Sequence, residues 1–300
     1  MYTIKTVTAL TGISTETLRA WERRYHTITP VRDDKGRRLY SQEDVERLNL
    51  LASAIRQGFT ISKIAKLNRA ELQKLVSTHE TANVNNHERY FVQFLDALKE
   101  YQMQRCEELL KHALIAMDPL SYARDILLPL LHKVGDLWHQ GEITIAQEHL
   151  FSACVKRIVL SMVNNMQPFS GSKPGILFAT LSGESHEFGI LLTCLLAASQ
   201  NCSCFYIGPD LPWTDLHHAS DKLKPAVITL SAVYTPPSSF LLENLAQLAH
   251  ETPHSIQLWI GGPGALYLQE QQRLPERYQY LVSLDDFYNK LAALIVRGQA

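Results

Sequence analysis

Glu184-Ser185-His186-Glu187-Phe188-Gly189 is followed after 41 residues by Ser231, and after a further 29 by Gly261-Gly262. A histidine lifted on a loop after an apolar strand can offer a neutral imidazole to a metal. A carboxylate two residues earlier can hold its other ring nitrogen and so set the tautomer. Glu184 and His186 stand at that spacing. Small residues near two later strand ends, Ser231 and Gly261-Gly262, leave a slot between sheet and helix. A loop histidine and glycines that only serve turns would account for each element singly, but three elements in this order ask for a shared pocket.

The pattern resembles the Asp-x-His-x-x-Gly, Ser-x-Leu, Gly-Gly set of cobalamin-binding domains that hold the cofactor with its base displaced by histidine. Two positions depart from it. Glu184 stands where most of that family has Asp, and Val233 where it has Leu. The resemblance implies that Glu184, His186, Gly189, Ser231, Val233, Gly261 and Gly262 line the pocket and that His186 ligates cobalt. Tyr234-Thr235-Pro236-Pro237 follows closely, as the floor of the slot or as a plain turn.

The elements that position these groups come from a chain of 300 residues. Single cores stop growing near roughly 250 to 300 residues, so two or three domains are expected. No apolar run reaches the roughly 18 residues of a membrane span, and Met1-Tyr2-Thr3-Ile4-Lys5 has no signal-peptide pattern, so a cytoplasmic chain without a membrane partner is expected. Cys106, Cys154, Cys194, Cys202 and Cys204 are odd in number and sit in apolar patterns, which suits reduced thiols. The net charge of -1 hides an asymmetry: residues 1–75 carry 14 Lys and Arg against 8 Asp and Glu, a net of +6, and residues 76–300 carry 15 against 22, a net of -7. A basic module joined to an acidic body points to a polyanion partner for the first part alone.

Residues 4–25 predict two short helices around a turn at Gly12, with Ser14 capping the second. That helix carries Thr15, Thr17, Arg19, Arg23, Arg24 and Tyr25, while Trp21 belongs to the core. A hairpin follows, with its turn at Asp33-Asp34-Lys35-Gly36, and Ser41 opens another helix. Leu18-Arg19-Ala20-Trp21-Glu22-Arg23-Arg24-Tyr25 and Gly36-Arg37-Arg38-Leu39-Tyr40 carry a resemblance to the winged helix-turn-helix DNA-binding domain of the MerR family. It implies a dimer on double-stranded operator DNA, contacted by Thr15, Thr17, Arg19, Arg23, Arg24, Tyr25, Arg37, Arg38 and Tyr40.

Residues 77–88 are polar and weakly periodic, which predicts a linker that lets the DNA module, 1–76, swing. From 89 to 166 apolar residues recur at helical spacing and fit a four-helix bundle. Within it Trp138-His139 precedes Glu148-His149, with Gly141 and Thr144 marking a turn between them. Aromatic, imidazole and carboxylate groups at one end of a bundle can cap an apolar ligand and bond its polar rim. Singly, the four read as a core indole, a solvated histidine and a polar first turn. Together they resemble the Trp, nine residues, Glu-His motif of the CarH and LitR light-sensing repressors. The resemblance implies that Trp138, Glu148 and His149 stand over the upper face of adenosylcobalamin, and that His139 takes cobalt after light.

A second linker is expected at 167–173. From 174 to 300 apolar strands at Gly175–Leu181, 202–207, 226–232, 257–260 and 280–283 alternate with helices, which predicts a doubly wound parallel sheet with ligands outside the carboxyl ends of its strands. His217, His218, His250 and His254 are expected at the surface. The combined expectation is a non-enzymatic, light-responsive repressor that forms cofactor-loaded tetramers from dimers. Its rivals are a regulator sensing cobalamin level or a protein partner without photochemistry, a corrinoid methyl carrier, and a structural DNA-bridging protein.

Overall fold

The computed structural model describes residues 1–32, 36–56, 59–166 and 174–297, and the chain divides into two compact units, Met1–Tyr90 and Phe91–Ala300. In the first unit β1 (Tyr2–Thr3) leads into α1 (Ile4–Thr11), and α2 (Thr15–Tyr25) follows. Gly12 ends α1 in the left-handed region at φ 70°, where a side chain would be strained. Ser14 Oγ then accepts the Thr17 amide at 3.2 Å and starts α2. The wing is β2 (Val31–Arg32) and β3 (Arg38–Tyr40), antiparallel. β1, which carries no strand pattern of its own, pairs with the far side of β3. The turn residues Asp33, Asp34 and Lys35 lie outside the described residues.

α3 (Gln42–Arg56) opens on a reciprocal cap, in which the Asp44 amide donates to Ser41 Oγ at 3.0 Å and the Ser41 amide to Asp44 Oδ2 at 2.8 Å. α4 (Ile61–Ile64) follows. Val7, Leu18, Trp21, Tyr40, Leu48 and Leu72 form the core. Arg47 ties the unit together: its guanidinium donates to the carbonyls of Thr27, Leu67 and Ala65, each at 2.8 Å.

The expected linker at 77–88 precedes the boundary between the two units and has a helical backbone. Its backbone belongs to α5 (Arg69–Lys99), one continuous helix. No glycine or proline interrupts 69–99, and apolar helical turns flank the polar stretch on both sides. Propagation through polar residues costs little once those turns are nucleated.

The second unit continues with α6 (Met103–Ala116), then α7 (Pro119–Ser121), which runs through a π-helical segment (Tyr122–Leu127) into α8 (Leu128–His139), and α9 (Ile145–Met166). Phe94 and Phe151 meet edge to face at 5.6 Å in the helical core. The turn before α9 is locked by a capping box: the Thr144 amide donates to Gln147 Oε1 at 2.7 Å and the Gln147 amide to Thr144 Oγ1 at 3.3 Å. Gln147 Nε2 reaches on to the Lys99 carbonyl at 2.8 Å, and Gly141 turns the chain at φ 73°.

The expected linker at 167–173 lies outside the described residues. Beyond it β4 (Gly175–Leu181), α10 (Phe188–Ser199), β5 (Ser203–Leu211), α11 (Trp213–Leu223), β6 (Val227–Ser231), α12 (Ser239–Glu251), β7 (Gln257–Gly261), α13 (Pro263–Glu270), β8 (Tyr278–Leu281) and α14 (Leu284–Arg297) alternate. The sheet runs β5-β4-β6-β7-β8, all parallel. Two strands depart from the sequence expectation by more than one residue. β8 starts two residues early, and β5 runs on to Leu211 through two register shifts, with Gly208 at φ 106° and Asp210 at φ 61°. Leu177, Ala179 and Leu181 of β4 pack with Leu216 of α11 and Leu245 of α12. Phe178 points the other way, 6.5 Å from Phe287 of α14. Burial on both faces explains why these strands are unbroken apolar runs. All five cysteines are free, four of them buried. Among the described residues no helix is long and apolar enough to cross a membrane.

Arg47→Met is expected to destabilise the first unit by about 2–4 kcal/mol, because three carbonyls lose a charged donor at once. Urea denaturation followed by circular dichroism checks it, and an unchanged midpoint would mean that water replaces the guanidinium without loss.

Candidate functional site

β4 ends at Leu181, and the next turn carries Glu184 and His186 to the start of α10. Glu184 is fully buried. Its Oε1 accepts His186 Nδ1 at 2.6 Å and the His186 amide at 2.9 Å, and its Oε2 accepts the amides of Val233 at 2.6 Å and Tyr234 at 3.2 Å. Burial pushes this carboxyl up, but the bonds from His186, Val233 and Tyr234 outweigh it and hold it below the ordinary carboxylate range. The same bond raises the imidazole of His186 against an opposing effect of burial. With Nδ1 bonded to a carboxylate, the neutral ring keeps its lone pair on Nε2, and 47% of the His186 side chain is exposed. Tyr234 stands edge-on to that imidazole, with ring centroids 4.6 Å apart.

The cradle around this group is built from missing side chains. A Cβ on Gly189 would stand 3.0 Å from Ser231 Oγ. Gly262 has φ 100°, and a Cβ there would come within 2.4 Å of the Ala232 carbonyl oxygen. Gly264 is as tight, at 2.5 Å from the Tyr234 carbonyl oxygen, whereas Gly261 would meet Leu281 at an ordinary 3.6 Å. The steric demand therefore falls on Gly262 and Gly264, not on the expected pair Gly261-Gly262. Glu184, His186, Gly189, Ser231, Val233 and Gly262 come together at the carboxyl ends of β4, β6 and β7. Val233 takes part through its amide.

Trp138 and His139 end α8, both exposed, with ring centroids 4.7 Å apart. An indole with 41% of its surface in solvent is not the core residue its type suggests. Glu148, in the first turn of α9, accepts Ser152 Oγ at 2.5 Å and meets His149 Nδ1 at 2.6 Å. α9 is joined to the His186 loop further along, where Lys156 grips Glu187. A half-exposed, oriented imidazole in a glycine-lined slot suits one coordinate bond to a metal carried in a large flat ligand, while Trp138, His139, Glu148 and His149 lie at the end of α8 and the start of α9.

In the first unit Arg19, Arg23, Arg24 and Arg37 are exposed, Thr15 and Tyr25 half-buried and Thr17 exposed. Arg38 is half-buried, its Nε 2.8 Å from Glu22 Oε2. Tyr40 is corrected as a DNA contact: it is fully buried and donates its hydroxyl to Glu22 Oε1 at 2.6 Å. Burial and that bond push its phenol well up. Tyr40 and Arg38 fasten the wing to α2 through one carboxylate.

The family model of the MerR HTH family regulatory protein matches residues 2–71, and that of a B12 binding domain matches residues 90–160. The chain is 31% identical over 269 residues to the HTH-type transcriptional repressor CarH of Myxococcus xanthus, covering 88% of this chain and 89% of that one. It is 30% identical over 232 residues to the HTH-type transcriptional repressor CarA of the same organism, covering 77% and 76%. The chain belongs to the MerR-type regulators that carry a B12-binding domain. Within this family it is a relative of the CarH and CarA repressors. The solved monomethylamine corrinoid protein of Methanosarcina barkeri aligns with a TM-score of 0.54 at 16% identity, over 69% of this chain and 99% of that one, which carries the fold alone.

Several groups of the regulator's site escape a sequence reading. Tyr234 lies beside the Ser231 motif, yet its edge-on contact with His186 is tertiary. Gly264 was legible only as the last member of Gly261-Gly262-Pro263-Gly264. Away from the site, His217 of α11, expected at the surface, is half-buried and 3.4 Å from Asp221.

Glu184→Gln is expected to lower the His186 pKa towards its ordinary value and to destabilise the second unit by about 1–3 kcal/mol. One amide oxygen cannot accept from both sides, and its NH₂ must face a donor. An imidazole NMR titration checks the direction, and an unshifted His186 would refute the coupling.

Proposed function

We propose that the protein is a cobalamin-dependent, light-responsive transcriptional repressor, a binder and switch and not an enzyme. The carrying observation is the His186 imidazole, with Nδ1 bound to a buried carboxylate and its ring open at the carboxyl ends of the strands. Glu184, His186, Gly189, Ser231, Val233, Gly261 and Gly262 hold the cofactor from a doubly wound sheet, His186 as cobalt ligand. Trp138, His139, Glu148 and His149 close the site from a four-helix lid. Bound adenosylcobalamin supplies a cobalt–carbon bond that light can break.

The chain's own residues do the rest. Trp138 offers an apolar face that excludes water, Glu148 accepts hydrogen bonds at its edge, and His139 offers an exposed imidazole for a second coordinate bond. Arg19, Arg23 and Arg24 on α2, with Thr15, Thr17 and Tyr25, face the operator, and Arg37 and Arg38 hold its backbone from the wing. Phosphate contacts supply most of such affinity, and base-edge contacts select the site. Dimers pair into tetramers when loaded and separate on illumination. The cofactor must favour one assembly over the other, since equal affinity would shift nothing.

Gel filtration after mixing with adenosylcobalamin in darkness tests the reading. Co-elution of corrinoid with the wild type, its loss in His186→Ala, and a shift to smaller species under green light are expected. A wild type that retains no corrinoid overturns the proposal, and retention without any light response leaves a regulator that senses cobalamin level. His139→Ala is expected to load in darkness and to lack the bis-histidine spectrum after illumination. Arg19→Ala is expected to weaken operator binding roughly tenfold in a fluorescence anisotropy titration at fixed salt.

A further inference from the structure

Glu187 follows His186 directly and bears a carboxylate of which 16% is exposed. Lys156 Nζ, from α9, donates to both of its oxygens at 2.7 and 2.9 Å, and the Tyr206 hydroxyl, from β5, donates to Oε2. The Glu187 carbonyl accepts the Leu191 amide at 2.9 Å and so opens α10. Two other elements, α9 and β5, thus converge on this one side chain at the start of α10. A carboxylate this sheltered has donors in place of water, and removing Lys156 takes away two of those bonds at once.

Lys156 is also the end of a row. Glu148, Ser152 and Lys156 recur every four residues, which puts them on one face of α9. By helical rise the row is about 12 Å long. At one end Ser152 donates to Glu148, the carboxylate of the Trp138 cluster. At the other, Lys156 holds the residue beside His186.

We propose that Lys156 is a positioning residue which, through Glu187, ties α9 to the His186 loop, so that the helical groups and the imidazole form one closed site. Its bearing on cobalamin retention rests on the function proposed above, whereas the tie itself stands on geometry alone. Both partners lie outside the groups assigned to touch the cofactor, so the lid can be loosened without removing a ligand.

The test uses the full-length protein, with Lys156→Met, Glu187→Gln, their combination and Lys156→Arg. In the absence of cofactor, amide hydrogen exchange over residues 184–191 is expected to rise about tenfold in each single variant. The double variant is expected to rise no further, and Lys156→Arg to restore wild-type protection. With adenosylcobalamin in darkness, both single variants are expected to load with an unaltered absorption spectrum and to release the cofactor about tenfold faster. Unchanged exchange in the single variants, or additive effects in the double, overturns the proposal. A wild type that binds no corrinoid sinks the cobalamin reading, while the exchange arm still decides the tie. Thermal melting of each variant separates loosening of the loop from loss of the fold.

Discussion

A buried carboxylate with four N–H donors holds the site together. Glu184 has no contact with water, and two of its donors come from His186 while two come from the chain that has just left β6. Each bond to an ionised acceptor is stronger than a neutral one, and their joint loss would strand a charge in the interior. The constraint therefore runs in both directions: Glu184 sets the tautomer of His186, and the packing of β4 against β6 sets Glu184. Thr180 Oγ1 adds a bond to the Glu184 carbonyl, so the backbone of the turn is fixed as well as its side chain. In this chain Glu at the position where the related motif has Asp saturates both carboxylate oxygens.

The first unit repeats the device at its surface. Glu22 receives Arg38 Nε and the Tyr40 hydroxyl, and so couples the helix expected in the major groove to the wing. The helix and the wing are thereby held together by a single carboxylate. The exposed Arg19, Arg23 and Arg24 remain on α2, and the exposed Arg37 stands just before β3.

Much of this was legible in the sequence, for identifiable reasons. Parallel strands covered on both faces are apolar runs, so β4 was bounded correctly from Gly175 to Leu181. Ser14 and Gly12 marked helix ends because capping chemistry is local. What failed was tertiary or marginal. α5 continues through a polar segment that local composition describes as a linker, because turns on either side commit the backbone. Tyr40 resembled a surface aromatic until Glu22, 18 residues away, claimed its hydroxyl. Two-residue β1 has too few positions to show alternation, and the Lys156–Glu187 pair spans 31 residues without a motif. Gly261 and Gly262 are indistinguishable by type, and only the backbone of Ala232 shows which of them must lack a Cβ.

The division of groups between elements determines what a ligand can do here. His186 and the glycine cradle belong to the sheet, and Trp138, His139, Glu148 and His149 belong to α8 and α9. A ligand touching only the sheet would bind equally well whatever the helices did, and would change nothing beyond its own site. A ligand touching both sets, as proposed, would make its binding energy depend on how these helix ends are placed relative to the strand ends, which is the condition for biasing a conformational equilibrium. The indole of Trp138 is 41% exposed in the free protein, and under the proposed function covering it would contribute to binding in the closed arrangement alone. In the function proposed above, chemistry that alters the ligand on the Trp138 side would act on the arrangement of the helices, while the His186 side would keep its hold. The proposed switch would then rest on two sets of contacts whose strengths change independently.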